Sequence, residues 1–326
     1  MEQILKIGNK TYWMKKLTFK EWLSVIKKTF GKFFDDKGMK LSASLAYYTI
    51  FSLPALLILI IGLGSIFYGR EAIQGEIFHG INDWVGAKAA AQVQEMLKKT
   101  TLEYNSIWAT LLGVITLLIG ASTIFAEIQD SINIIWGLKP KPNKGLIKLV
   151  LNRLLSFSMI LVLGFLLMVS LLLNAMLTTF IEKLKSLFTE QIVKFFFIFD
   201  YLFVFTVITL LFASIFKVLP DARIKFRDVV IGAMVTAGLF MPGRLLIDYY
   251  MKNVADLSTY GAAGSVIVIL LWVYYTSIIL YLGAEFTQVY VTKRGHEIIP
   301  YNYAVKLETR VIEKDPETKT KKVRKI

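Results

Sequence analysis

The sequence predicts an all-α protein: a polytopic transmembrane bundle of six helices, with N- and C-termini cytoplasmic and short amphipathic outer helices. Three observations carry that prediction. Six apolar runs are each long enough to cross a bilayer, which takes roughly 20 residues. Hydrophobic residues make up 55% of the 326, and the mean hydropathy of +0.56 is high for a soluble domain. Lysine and arginine are concentrated in alternate connections between the runs.

The runs cover residues 41–69, 107–136, 149–180, 195–219, 228–251 and 262–291. Segments 1–40, 137–153, 217–227 and 293–326 hold 29 Lys and Arg, whereas segments 70–106, 181–194 and 252–261 hold 8. Basic connections stay inside, so the first set is cytoplasmic, and an even number of spans returns both termini to that side. The chain divides into a basic amphipathic cytoplasmic segment 1–40, a membrane domain 41–292 and a basic tail 293–326. The tail is charged and lacks hydrophobic periodicity, which predicts disorder.

Before the first run, Leu17, Trp22, Val25, Ile26, Phe30 and Phe33 recur at helical spacing, and Thr18 with Glu21 forms a capping box. This helix either lies in the cytoplasmic interface or packs beneath the bundle. The first apolar run is too long and too late for a cleaved signal peptide, so it is expected to remain as an anchor. In the longest outer connection, 70–105, Ile73, Ile77, Ile81, Trp84 and Val85 form one stripe that Val93, Met96 and Leu97 continue. They predict two short amphipathic helices, serving as a packed cap or as a gate. The Lys139–Gly145 turn, with Pro140 and Pro142, ends the second run. No internal repeat supports an inverted-repeat transporter.

Ionisable residues inside the runs nominate the site, because a charge at mid-membrane costs about 2.5–3.5 kcal/mol on insertion scales. Helical rise places them in two layers. The inner, acid-rich layer holds Glu127, Asp130, Asn133 and Glu285 with Gln129, and Tyr47 and Tyr48 share its depth. The outer layer mixes Arg244 with Asp248 and Asp200. Glu127 and Asp130, three apart, share a helix face, as do Arg244 and Asp248, four apart. These groups either line a substrate or proton path or act as buried clamps fixing helix register. Arg244 cannot shed its proton, so it calls for an acid, Asp248 one turn on or Asp200 from the preceding run. Pro54 and Pro242 interrupt two runs, and Gly232, Ala233, Ala237, Gly238, Gly283 and Ala284 offer small packing surfaces.

Composition narrows the chemistry. The absence of cysteine excludes disulfides and thiolate catalysis, and His79 with His296 are the only two histidines. No metal or other cofactor is expected. The formal charge of +14, placed beside membrane spans, points to anionic lipid head groups as partners and not to nucleic acid. Nothing in the pattern specifies an oligomer.

Three stretches resemble the YihY/BrkB family of bacterial inner-membrane proteins. They are Ala46–Pro54 in the first run, Ile128–Gly137 at the end of the second, and a third set. That set runs from Val218-Leu-Pro-Asp221 through Arg227-Asp228, Gly243-Arg244 and Tyr260–Gly264 to Leu282-Gly-Ala-Glu285. The likeness covers roughly residues 20–292. It implies a six-helix, multi-pass protein of the bacterial plasma membrane, in a family linked to serum resistance and to proposed lipid export. The family has also carried a ribonuclease label. A metallo-nuclease needs clustered histidine and acidic ligands, which this chain lacks, so neither that activity nor any enzyme is expected. The leading expectation is a transporter or flippase-like protein for an amphipathic or anionic, lipid-linked substrate. The alternative is a non-transporting envelope factor that organises lipids or partner proteins. A polar groove continuous between the layers would favour the first; sealed layers would favour the second.

Overall fold

The computed structural model describes residues 4–7, 10–13, 18–68, 71, 74–75, 77–79, 90–91, 93–95, 107–141, 154–155, 158–159, 161–162, 164–165, 190–253, 263–307, 310–313 and 322–325. Six long helices dominate them: α1 Phe19–Asp35, α2 Gly38–Tyr68, α3 Ile107–Ile135, α4 Glu190–Val218, α5 Phe226–Asn253 and α6 Ala263–Lys293. The last five match the first, second, fourth, fifth and sixth apolar runs. In the third run, 149–180, residues 154–155, 158–159, 161–162 and 164–165 are helical and the rest lie outside the described residues. Most of the two connections 70–105 and 181–194 also lies outside them.

Four helical segments among the described residues are long and apolar enough to cross a membrane: Gly38–Ile61, Tyr201–Val218, Phe226–Ile247 and Val266–Lys293. Only 28–39% of each is buried, so most of their apolar surface faces outward. Phe51, Leu202, Leu245 and Leu246 are among the large side chains left exposed. An apolar surface that extensive is unsuited to water and suited to lipid. The chain is a multi-pass membrane protein.

Helix α6 is the hub, in contact with α1, α2, α3 and α5, while α2 also packs on α3 and α4 on α5. Apolar matching builds the core, where Ile132, Trp136, Phe216, Leu219, Val229 and Tyr281 are essentially sealed. The crossing of α5 and α6 is tight because glycine meets threonine twice. A Cβ on Gly232 would overlap the Thr287 side chain, and one on Gly283 would overlap that of Thr236. Each threonine turns its hydroxyl back onto its own helix, Thr236 to the Gly232 carbonyl and Thr287 to the Gly283 carbonyl, both at 2.7 Å. Close approach through small residues is the expected device where lipid supplies no hydrophobic drive. Both Pro54 and Pro242 lie inside continuous helices.

Helix α1 packs one face against the bundle and leaves another exposed. Its start is capped as expected, with the Thr18 amide donating to Glu21 Oε2 at 2.9 Å. Val25 and Phe33 are buried, and Trp22 stacks on Phe286 of α6 at a ring separation of 6.1 Å. A second apolar row, Phe19, Leu23, Ile26, Phe30 and Phe34, remains exposed. Helix α1 then turns into α2 at Lys37, which takes a left-handed φ of 58°, and Gly38 lies against the Phe33 ring with no room for a Cβ.

The helices end in short antiparallel strand pairs. Residues 4–7 (β1) and 10–13 (β2) pair with each other, as do 310–313 (β7) and 322–325 (β8). Between them, β3 Leu138–Pro140 pairs with β6 Ala304–Lys306, and β4 Ala222–Arg223 with β5 Ile299–Pro300. Disorder from residue 293 onward is therefore corrected for residues 298–306. Charge patterning sees no apolar period there, but the ladder hydrogen bonds come from distant β3 and β4, and Ile298 and Ala304 are buried.

Candidate functional site

The polar residues converge at one end of the bundle, where α3, α4 and α6 finish and α5 begins. Asp221, in the turn between α4 and β4, is 1% exposed and accepts from two amides of α3, Gln129 Nε2 at Oδ1 and Asn133 Nδ2 at Oδ2, both at 2.9 Å. Its own backbone N–H donates to Asn133 Oδ1 at 2.9 Å, and its carbonyl accepts from the Tyr301 amide. Gln129 and Asn133 are four apart and so share one face of α3, which reaches the turn as a bidentate pair. Trp136, one turn further, is fully buried and donates its indole N–H to the Ala284 carbonyl of α6 at 3.1 Å.

A second cluster ties the start of α5 to the loop after α6. His296 Nδ1 lies 2.7 Å from Asp228 Oδ2, and Arg294 Nη1 lies 3.8 Å from Oδ1. Arg294 also donates to the Tyr290 hydroxyl at 2.8 Å and sits over its ring. Nearby Tyr301 and Tyr303 stack at 5.6 Å, and Arg223 covers Tyr301. Burial, with the Asp221 and Tyr301 charges behind it, pushes the Tyr303 phenol up to about 12.

Alongside these clusters lies a groove of about 1500 Å³ between α1, the ends of α3 and α6, and the β3–β6 pair. Five lysines line it, Lys28, Lys32, Lys139, Lys293 and Lys306, against three acids, Asp35, Asp36 and Asp130. Asn133 forms part of its wall, so the groove abuts the Asp221 junction. Lys32 donates to Gln288 Oε1, and the Gln288 amide donates to the Ile135 carbonyl, joining α1, α6 and α3 across the groove. Glu285, one turn before Gln288 on α6, is completely buried.

Of the nine residues nominated from sequence, Asp130 and Asn133 line the groove, Glu285 lies behind it, and Glu127 is half-buried on α3. Tyr47 and Tyr48 do not lie beside them. Shared depth does not fix azimuth: Ser42, Leu45 and Ala46 turn inward on α2, while Tyr47 is 59% exposed, in an edge contact with Tyr48 and against Phe51. Arg244 is half-buried on α5 and engaged with a partner. The side chains of Asp200 and Asp248 lie outside the described residues.

Sequence reasoning did not place Asp221, Asp228, His296, Lys32 or Asp36 in a site. Asp221 and Asp228 were visible only as part of a motif. The 68 residues separating Asp228 from His296 leave no local signal. Among the described residues no group of three or more His, Cys, Asp or Glu is placed to hold a metal ion.

Comparison with known proteins is consistent with this architecture. Residues 29–302 match the family model for virulence factor BrkB. The UPF0761 membrane protein of Pseudomonas paraeruginosa is 28% identical over 265 residues, covering 78% of this chain and 59% of the relative. Its counterpart in Alcanivorax borkumensis is 26% identical over 81% of this chain and 60% of the relative. That of Psychromonas ingrahamii is 26% identical over 87% of this chain and 92% of the relative. The chain thus spans about six-tenths of the Pseudomonas and Alcanivorax proteins. No solved structure matches it.

Proposed function

The chain belongs to the virulence factor BrkB family, and from that premise we propose a transporter or flippase-like protein of the bacterial plasma membrane. It has six spans with both termini cytoplasmic, and it moves an amphipathic or anionic, lipid-linked substrate across the bilayer. The observation that carries this reading is the groove of about 1500 Å³ with five lysines on its walls. Ammonium groups attract phosphate or carboxylate, and partial burial strengthens that attraction over its value in bulk water. The lysine asymmetry puts the groove on the cytoplasmic side, within reach of inner-leaflet head groups. The exposed apolar row of α1 supplies acyl-chain contact beside it.

The test uses the full chain in vesicles of phosphatidylethanolamine and phosphatidylglycerol carrying a trace of fluorescent phosphatidylglycerol. An impermeant reductant bleaches only the outer leaflet of protein-free vesicles. With the protein present, bleaching is expected to proceed to the inner-leaflet probe, and more slowly with Lys32→Ala and Lys293→Ala combined. Bleaching that stops at the outer leaflet would reject transport of this lipid. A second reading, a non-transporting factor that organises envelope lipids, draws its support from the Gln129–Asn133–Asp221 junction, whose sealed side chains close off the groove's wall.

A further inference from the structure

Helix α1 crosses α6 steeply instead of running along it. Trp22 lies against Phe286 and Tyr290 of α6, with ring separations of 6.1 and 5.7 Å. Val25 packs among Phe286, Val289 and Tyr290, and further along α1 Lys32 donates to Gln288 of the same stretch. From Trp22 to Lys32 is roughly 15 Å of helix, whereas Phe286 to Tyr290 is roughly 6 Å, at 1.5 Å per residue. Two helices in that relation are closer to perpendicular than to parallel. The segment of α6 long and apolar enough to cross a membrane is Val266–Lys293, so α1 meets it within its last two turns.

The circumference of α1 divides into three faces. Val25, Thr29 and Phe33 are buried and, with Trp22, turn toward the bundle. Lys28, Gly31, Lys32, Asp35 and Asp36 line the groove. Phe19, Leu23, Ile26, Phe30 and Phe34 form the third face, between 48% and 81% exposed. At roughly 100° per residue, this apolar row and the groove wall lie on opposite sides of the helix, with the bundle-facing residues between them. Lys20 and Lys27, both exposed, edge the row on the side away from the bundle. The acids Glu21 and Asp35 lie across the helix from it, on the groove side.

We propose that α1 lies in the plane of the membrane at the inner leaflet and binds anionic phospholipid, with its apolar row among the acyl chains and Lys20 and Lys27 on the head-group phosphates. Two observations favour lipid over another protein as the occupant. The row leads through the elbow at Lys37 into α2, whose spanning segment is only 28% buried and already turns an apolar surface outward. The charges bordering the row are cations, which complement anionic head groups and reach them while their stems stay on apolar surface. Depth agrees as well. Gln288 lies roughly 7 Å inside the Lys293 end of α6, and interfacial amphipathic helices sink roughly 5–10 Å into the boundary of head groups and chains. The groove then lies on the cytoplasmic side of α1. This lipid contact goes beyond the transport reading and does not depend on it.

Because the chain has no native cysteine, single cysteines carrying a bimane label report on each face in the full chain. The protein is placed in nanodiscs of phosphatidylethanolamine and phosphatidylglycerol. Lipid brominated along its acyl chains quenches a label in the bilayer, and iodide quenches one in water. Labels at Leu23→Cys, Ile26→Cys and Phe30→Cys are expected to be quenched severalfold more by the brominated lipid than by iodide. Labels at Lys28→Cys and Gly31→Cys should show the reverse. All five positions are exposed, and three on one row mean that the loss of one variant leaves two to decide. Phosphatidylglycerol spin-labelled at its head group should quench Ile26→Cys more than phosphatidylcholine labelled in the same way. Lys20→Ser and Lys27→Ser combined should remove that preference, which is worth up to about fivefold per lysine. Quenching of all five positions by one agent, whichever it is, would overturn the in-plane arrangement. A row shielded from both agents would overturn it in favour of protein, a second copy being identified by cross-linking through Ile26→Cys. Equal quenching by the two head groups would overturn the choice of an anionic lipid.

Discussion

Asn133 on α3 and Asp221 in the turn after α4 hold each other by two reciprocal hydrogen bonds of 2.9 Å across 88 residues of sequence. Each side chain there is almost wholly buried, so neither has water to fall back on. Removing the Asp221 carboxylate would strand the amides of both Asn133 and Gln129, at about 1–3 kcal/mol for each unsatisfied group. Asp221→Ala is expected to melt well below the wild type in detergent, followed by the fluorescence of Trp136 and the other tryptophans. Asp221→Asn, which keeps one acceptor, should fall between the two. Equal melting of all three proteins would mean that the junction contributes nothing to stability.

The glycine–threonine crossing of α5 and α6 makes a contrast within one helix. Gly232→Ala and Gly283→Ala each force a methyl into a threonine, and overpacking of this kind costs about 1–3 kcal/mol. Gly238, also on α5, has nothing within 4 Å of its would-be Cβ. Gly238→Ala is therefore expected to be neutral or to stabilise by up to about 1 kcal/mol through helix propensity. Combining Gly232→Ala with Thr287→Ala should recover part of the loss. Similar melting temperatures for Gly232→Ala and Gly238→Ala would contradict the close approach.

Tyr303 gives a pH dependence at the alkaline end. Burial, then Asp221 and Tyr301, push its phenol from the ordinary value of about 10 up to about 12. Between those values the folded chain keeps the proton and the unfolded chain has lost it. Stability from this group is thus fully present below about pH 10 and lost as pH rises through about 12. Tyr303→Phe should remove one late step from the phenolate absorbance titration and reduce the alkaline fall in melting temperature. An unchanged late titration would show that Tyr303 ionises with the exposed tyrosines.

The six-span topology is open to direct test because the chain has no native cysteine. Single cysteines at Asn9, Gln92, Asn143 and Lys319 sample two tails and two connections. An impermeant thiol reagent added to intact cells is expected to label position 92 alone. Labelling at 143 or at either tail would reverse the inside–outside assignment.

Helix positions were readable because burial in lipid demands unbroken apolar length, a property written along the chain. Ile107–Ile135 was expected at 107–136, and Ala263–Lys293 at 262–291. Depth was readable for the same reason, through rise per residue, and it brought Asp130, Asn133 and Glu285 to one level. Azimuth was not. Tyr47 and Tyr48 share that level but face away, since which side of α2 turns inward depends on the contacts it makes with α3 and α6. The tail strands were hidden for another reason: β5 and β6 have no pattern of their own and exist only against β4 and β3.

By itself, then, the sequence determined the membrane class and the positions of the long helices, because hydrophobic run length acts locally along the chain. Only the tertiary structure decided which groups meet. The partnerships of Asn133 with Asp221 and of His296 with Asp228 join segments 88 and 68 residues apart. Such contacts are fixed by helix rotation and packing around α6, which no local spacing encodes.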